Sequence, residues 1–216
     1  MSLTLYYHPL SSFCWKALIA LYETGVAFTP KLVNLGDAKD RADFLALWPV
    51  GKFPVLKDEA RDWIVPESSI IIEYLAQHHP GKTALIPADP DLARQMRMRD
   101  RFFDLYIHER MQKMVSEYIR PEGSRDPYGA EQARAGMETA YDLVERDMAS
   151  KTWVMGEAFT MADCAAAPAL HYGRKVVPFG EKRPNLARYL ERLEARPSFA
   201  RVLEEAKPYA HMFPVK

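Results

Sequence analysis

Two adjacent serines, Ser11 and Ser12, stand where a strand pattern gives way to a helix pattern. A serine at this place caps the helix, and the free N–H groups and the dipole of the helix favour an anion in front of it. A thiolate is such an anion, and a hydrogen bond from a hydroxyl stabilises it further. Lowering a thiol pKa from about 8.5 to about 6.5 requires roughly 2.7 kcal/mol, which the two effects can supply together. We therefore predict Ser11 and Ser12 as catalytic residues; the alternative is that both are simple helix caps.

A second candidate site is the segment Gly51-Lys52-Phe53-Pro54, which precedes a short strand. A cis peptide bond before Pro54 is plausible here, and it would turn the Phe53 backbone outward. Exposed N–H and C=O groups at a sheet edge can pair with the backbone of a peptide ligand, and Lys52 could then bind its carboxylate. The alternative is a trans Pro54 that opens an edge strand, with Lys52 in solvent.

Glu67 and Ser68 form a third candidate site at the start of an apolar helix pattern. Glu67 can bind an ammonium group, while Ser68 and the helix N–H groups bind a carboxylate. These are the two charges of an amino-acid end group. The alternative is that both are only favourable first-turn residues.

The elements that must position these residues follow from periodicity and turn signals. The first part of the chain predicts the order βαβαββα, a small mixed sheet covered by helices as in thioredoxin-like domains. The predicted strands cover 3–7, 28–35, 55–57 and 63–65, and the predicted helices run from Trp15 to Gly25, over 38–47 and over 67–77.

A proline-rich stretch without periodicity, residues 80–90, is typical of a domain linker. Beyond it the pattern predicts helices over 91–118, 131–149, 161–173, 185–195 and 198–206. The fold class is therefore α/β plus all-α. We expect a thioredoxin-like domain over 1–79, a linker over 80–90 and an α-helical bundle domain over 91–216.

The composition indicates which class of ligand the protein binds and in which cellular compartment it is expected. The 29 basic and 29 acidic side chains cancel, so no net field favours nucleic acid or an anionic membrane, and we expect a small-molecule ligand. Cys14 and Cys164 lack the spacing of a zinc site or a disulfide framework, so we predict no metal and a reducing compartment. Cys14 is expected to pack rather than react. Without a leader pattern or an apolar run of about 18 residues, the expected location is the cytoplasm.

In their order along the chain, the serine before the first helix, the stretch KFPVL and the stretch PESSIIIEYL resemble the cytosolic glutathione transferases. Members of that family have a tyrosine, serine or cysteine after the first strand. They also have a cis-proline whose preceding residue pairs with the cysteinyl part of glutathione, and a Glu/Gln-Ser pair for the γ-glutamyl end. Ser11, Phe53, Pro54, Glu67 and Ser68 occupy the matching positions. The serine in the first position is similar to theta, zeta, tau and related bacterial members.

The resemblance extends to Thr160 and Asp163, which look like the family's cap on a buried helix of the second domain. Their side chains can satisfy the free donors at the start of a helix packed in a core. We therefore place Asp163 in folding and not in catalysis.

The resemblance implies that glutathione is a co-substrate and that its thiolate is transferred to an electrophilic small molecule. Two alternatives stay open, a glutathione-dependent isomerase of the maleylacetoacetate-isomerase type and a non-catalytic binding protein. Phe13 departs from the Ser-Ser-Cys of the zeta isomerases, which counts against the isomerase. If Ser12 faces the sulfur instead of Ser11, Ser12 is the residue that stabilises the thiolate.

The resemblance also implies a homodimer, in which Asp100 or Asp104 could reach the partner's glutathione. The helical domain would supply an apolar pocket for the electrophile. Its wall is expected on the first long helix, with Phe103, Tyr106, Arg110 and Met114; the alternative is that these are core residues, which is the more frequent role of such side chains.

Overall fold

The N-terminal domain has the predicted order of elements. The computed structural model describes residues 2–214. The strands are β1 (Leu3–Tyr7), β2 (Thr29–Leu32), β3 (Val55–Asp58) and β4 (Trp63–Pro66), and the helices are α1 (Ser12–Thr24), α2 (Ala38–Leu47) and α3 (Ser68–His78). The sheet has the order β2-β1-β3-β4, with β1 parallel to β2 and the other pairs antiparallel. This is the predicted mixed sheet of a thioredoxin-like domain.

Two elements of this domain differ from their predicted bounds. Strand β2 is shorter than the predicted 28–35, and it pairs only with β1 at the edge of the sheet, where Pro30 has no N–H to donate. Helix α3 begins at Ser68 and not at Glu67, because Glu67 has a φ of 68°, outside the helical region.

Beyond residue 89 the described residues are mostly helical, as predicted. Its α-helices are α4 (Pro90–Phe102), α5 (Glu109–Ile119), α6 (Pro127–Asp147), α7 (Met161–Val176), α8 (Pro184–Glu194) and α9 (Pro197–Ala206). Two short 3₁₀ segments, Glu122–Ser124 and Lys207–Met212, complete this helical domain. None of the helices in the described residues is long and apolar enough to cross a bilayer.

The long helix predicted over 91–118 is interrupted in its middle. Helix α4 passes into a π-helical segment, Phe103–His108, and continues as α5. The sequence carries no proline or glycine in this segment that would have predicted the change.

Helix α1 joins the two domains. It ends at Gly25, which adopts the left-handed conformation with a φ of 70° that glycine tolerates best. Within the N-terminal domain α1 packs on α3, and it also packs on α7 and α9 of the helical domain. Trp15, Leu18 and Leu21 are buried in a single core that continues into both domains.

Helix α7 forms the centre of the helical domain, and Asp163 fixes its start. The carboxylate of Asp163 accepts hydrogen bonds from the N–H of Thr160 at 2.9 Å and from its hydroxyl at 3.1 Å. It also accepts from the N–H of Val154 at 2.9 Å and the hydroxyl of Tyr189 at 2.7 Å. The capping box inferred from the sequence is present, and Asp163 binds two neighbouring segments as well.

Candidate functional site

Three strands have their ends side by side at one end of the sheet, which we call the strand edge. Tyr6 pairs with Val55, and Val55 pairs with Pro66, so β1 ends, β3 begins and β4 ends side by side. Because neighbouring antiparallel strands run in opposite directions, the strand edge carries the loop after β1, the segment before β3 and the start of α3. The edge thus gathers Ser11, the Lys52-Phe53-Pro54 segment and the Glu67-Ser68 pair.

Ser11 is the N-cap of α1. Its hydroxyl oxygen accepts a hydrogen bond from the Cys14 N–H at 3.3 Å, and the side chain is only partly buried. Because the oxygen acts as the acceptor in this contact, the contact does not use the hydroxyl hydrogen, which lies close enough to the Cys14 thiol to lower its pKa. The loop around it is fixed by Trp15, whose indole N–H donates to Pro9 O at 2.5 Å, and by Tyr172, whose hydroxyl donates to Leu10 O at 3.0 Å.

Ser12 has a different environment from Ser11. It is the first residue of α1, only 4% of it is exposed, and its hydroxyl is hydrogen-bonded to Nε2 of His108. The two serines that the sequence left equivalent are therefore distinct. One lies at the open edge, and the other lies at the contact between the domains.

The peptide bond between Phe53 and Pro54 is cis, as the family resemblance implied. Pro54 is buried and Phe53 half-buried, and the Phe53 ring stacks on the ring of His8 with centroids 5.8 Å apart. Lys52 is exposed at the same edge. His8 was missed at the sequence level, where it marked only the end of a strand.

Glu67 and Ser68 lie at the start of α3 with different exposure. Glu67 is exposed and has a positive φ of 68°, a conformation that non-glycine residues seldom adopt. Ser68 is 4% exposed. The backbone of Glu67 therefore departs from the helix that follows it, and its side chain stays in solvent.

A buried charged cluster lies behind this edge, and sequence reasoning missed it. The ammonium group of Lys16 contacts carboxylate oxygens of Asp100 at 2.6 Å and Asp104 at 2.8 Å, and the hydroxyl of Ser69 at 2.8 Å. The Ser69 hydroxyl in turn donates to Asp100 at 2.8 Å. Burial is the main cause that raises the pKa of the Asp104 carboxyl, and the Lys16 charge opposes that rise. No local motif could have indicated this cluster, because its members come from α1, α3, α4 and the π-helical segment.

This cluster corrects the expectation that Asp100 or Asp104 reaches a partner subunit. Lys16 and Asp100 are each 1% exposed, and Asp104 is 6% exposed. Both carboxylates face Lys16 of their own chain. They are therefore not available to a partner's ligand.

His108 is a further residue that the sequence did not single out. It is 2% exposed, and burial, followed by the positive charge of Lys16, lowers its pKa to about 3. The ring of Phe13 packs edge-on against it with centroids 4.1 Å apart. Nδ1 of His108 has no hydrogen-bond partner among residues 2–214. At neutral pH it is an uncharged imidazole.

The predicted wall of the electrophile pocket is only partly available. Phe103 and Met114 are 1% and 5% exposed and belong to the core, because they face into the helical domain. Arg110 is half-buried with its guanidinium against Gly136, and Tyr106 is 50% exposed. The rings of Phe13, which contacts His108, and Tyr209, which contacts His8 at a centroid distance of 6.1 Å, are among the aromatic rings beside the loop after β1.

Both cysteines are buried. Burial raises the pKa of the Cys14 thiol to about 12, although its hydrogen bond with Ser11 acts in the opposite direction. Burial likewise raises the pKa of Cys164. The expectation that Cys14 packs rather than reacts agrees with this environment, since neither thiol ionises near neutral pH.

Two family models match the chain. The glutathione S-transferase N-terminal domain matches residues 5–83, and the glutathione S-transferase C-terminal domain matches residues 106–197. The first match includes all three segments at the strand edge, and the second includes His108 and Asp163.

Individual proteins agree with these matches. Glutathione S-transferase 3 of Zea mays is 30% identical over 209 residues, which cover 93% of each chain. The stringent starvation protein A homolog of Coxiella burnetii is 30% identical over 211 residues, 95% of this chain and 93% of the relative. Among solved structures, a glutathione S-transferase from Methylobacillus flagellatus with GSH bound superposes with a TM-score of 0.84 at 27% identity. That match covers 93% of this chain and 98% of the other. The chain therefore belongs to the glutathione S-transferase family.

Proposed function

We propose that this protein conjugates the thiolate of glutathione to an electrophilic small molecule. The observation that carries the proposal is the meeting of the Ser11, Phe53-Pro54 and Glu67-Ser68 segments at one strand edge. Glutathione would bind along this edge. Its γ-glutamyl end would contact Glu67 and Ser68, its cysteinyl backbone would pair with that of Phe53, and its glycyl carboxylate would lie near Lys52.

In this pose the sulfur lies in front of α1, where Ser11 turns its hydroxyl hydrogen from the Cys14 thiol to the glutathione sulfur and donates to it. The hydrogen bond and the helix N–H groups stabilise the thiolate relative to the thiol. The thiolate then attacks the electrophilic atom and a carbon–sulfur bond forms. Either a leaving group departs with the bonding electron pair, or the adduct takes a proton from solvent. Ser12 is the poorer candidate for the thiolate role, since its hydroxyl is buried and bonded to His108.

The backbone of Glu67 supports the placement of the γ-glutamyl end. A non-glycine residue with a φ of 68° carries a conformational cost, and such residues cluster at ligand sites where the surrounding structure holds them. The conformation leaves the Glu67 side chain in solvent at the edge, where it can meet the ammonium group of the ligand. The similar Methylobacillus protein has GSH bound, which supports glutathione as the ligand.

Turnover and retention, measured side by side, test the proposal. The wild-type protein should be retained on immobilised glutathione and should conjugate glutathione to at least one of a panel of aryl halides, enones and epoxides. Ser11→Ala should be retained but should lose conjugation by about 100-fold, the size expected when a charge-assisted hydrogen bond is removed. Ser116→Ala is the matched control, because the Ser116 hydroxyl donates to the Lys113 carbonyl of its own helix at 2.7 Å.

The results distinguish a transferase from a non-catalytic binding protein. Unchanged conjugation in Ser11→Ala would contradict the thiolate role of Ser11, and a wild type that is not retained would contradict the glutathione site. Non-catalytic binding is the second candidate, and it is favoured by the similarity to a protein named for stringent starvation and not for transfer. A wild type that is retained but inactive toward the whole panel would support that candidate.

The homodimer stays a prediction. Ile70, Leu92 and Met98 are exposed apolar residues on α3 and α4, where they could lie in a subunit interface. Sedimentation at working concentration should give twice the mass of one chain. A single-chain mass would contradict the dimer.

A further inference from the structure

Two parallel polar contacts tie the start of α1 to the helical domain. Ser12 and Lys16 are four residues apart on α1, and Asp104 and His108 are four residues apart on the facing segment. Ser12 bonds His108, and Lys16 bonds Asp104 at 2.8 Å. We call this pair of contacts the double bridge.

The facing side of the double bridge lies on the irregular part of the long helix. Asp104 and His108 both belong to the π-helical segment Phe103–His108, while the helix on either side is regular. Short π segments inside α-helices occur frequently at functional sites, because they shift the side chains that follow them. The departure from regular helix thus coincides with the residues that contact α1.

Stability alone gives a weak reason for this arrangement. Replacing a buried ion cluster by apolar side chains of similar size is often neutral or stabilising. His108 also leaves Nδ1 without a hydrogen-bond partner in the described part of the chain, which is a further cost in a buried imidazole. Polar contacts of this kind instead specify one relative placement of the elements that they join.

We propose that His108 is a positioning residue for the thiolate site, which acts by fixing the first turn of α1 through Ser12. The inference rests on the proposed glutathione site and deepens it. A neutral imidazole can bond Ser12 in either tautomer, as acceptor or as donor, so the contact holds the turn in both. Ser11 precedes Ser12 directly, so the bridge sets where the Ser11 hydroxyl and the free N–H groups point.

The physical reason is the short range of the effects at a helix start. The helix dipole acts within the first turn, and a hydrogen bond weakens steeply when its angle departs from linear. A small displacement of the turn therefore changes how strongly a thiolate in front of it is stabilised. Lys16 and Asp104 form the second contact, one turn further along α1, and oppose rotation of the helix about the first.

The test is a titration of glutathione bound to the full chain, followed by the ultraviolet absorbance of its thiolate. Ser12→Ala and His108→Leu should each raise the pKa of the bound thiol by roughly one unit, and the double variant should raise it no further than either alone. His108→Gln, whose amide can reach the place of Nε2, should restore most of the wild-type value. Because burial lowers the pKa of His108 to about 3, the titration reports the thiol and not the imidazole.

A matched control separates positioning from a general loss of stability. His79→Leu removes a histidine bonded to Asp58 at 2.9 Å, at the opposite end of β3, and should lower stability without changing the thiol pKa. An unshifted thiol in wild type would overturn the proposed function itself. A shifted thiol in wild type that Ser12→Ala and His108→Leu leave unchanged would overturn only the role of His108. If His108→Leu does not fold, Ser12→Ala decides in the same way.

Discussion

The buried carboxylates of Asp163 and Asp104 have different kinds of partner. Within residues 2–214, Asp163 accepts from uncharged donors, namely backbone N–H groups and the hydroxyls of Thr160 and Tyr189. Asp104 contacts the ammonium group of Lys16, which Asp100 also contacts. Burial raises the pKa of both carboxyls. The first arrangement builds one helix start, whereas the second joins elements that are far apart in the chain.

The difference predicts how much stability is lost when a residue of each site is replaced. Around Asp163, loss of the carboxylate leaves neutral donors unpaired, and each of these costs a modest amount. Around Lys16, loss of one charge leaves uncompensated charges in a buried place, which costs more. The charged cluster should therefore be the more fragile of the two.

The largest effect is expected for Lys16→Met, which leaves Asp100 without its cation and Asp104 with the longer contact to Arg101 at 3.6 Å. We expect the free energy of unfolding to fall by about 4 kcal/mol, measured by denaturant unfolding. Adding Asp104→Asn removes one of the two buried carboxylates and should recover part of the loss. Lys39→Met is the control, because its ion pair with Asp43 is exposed, and no measurable change is expected. Equal losses in the two lysine variants would refute the comparison.

The second effect is expected for Asp163→Ala, which leaves the donors of Val154, Thr160 and Tyr189 without their acceptor. The free energy of unfolding should fall by roughly 2 to 3 kcal/mol, less than for Lys16→Met. Asp37→Ala, which removes the exposed cap of α2, should cost about 1 kcal/mol. Binding of glutathione by folded Asp163→Ala should be unchanged in calorimetry, and a marked loss of affinity would place Asp163 in the binding site and not in folding.

The same contrast explains what could be predicted from the sequence. Thr160 and Asp163 are three residues apart, and the strand ends that carry Ser11, Pro54 and Glu67 follow from local periodicity and turn residues. Such features depend on near neighbours in the chain, and the structure has them. The cluster around Lys16 and the contact of Ser12 with His108 depend on the packing of whole domains. No spacing in the sequence encodes those contacts, nor the π-helical segment that carries His108.

The smallest effect concerns the pH dependence of His108. Its pKa is about 3 in the folded chain, against about 6.5 for an exposed histidine, so the unfolded state binds more protons between these values. The contribution is fully present above pH 6.5 and is lost as pH falls toward 3. In unfolding experiments at pH 6 and pH 5, wild type should lose about 1 kcal/mol of stability relative to His108→Gln over this one pH unit. If the free energy of unfolding depends on pH in the same way in wild type and His108→Gln, His108 is not buried as a neutral imidazole.

The central claim is that the start of α1 and the Ser11 hydroxyl ionise the sulfur of bound glutathione. The most direct measurement is the pKa of that thiol in the wild-type complex and in Ser11→Ala, read from thiolate absorbance. We expect a pKa about two units below that of free glutathione in wild type, and a return of most of that shift in Ser11→Ala. A bound thiol that titrates like free glutathione in the wild-type complex would contradict the claim.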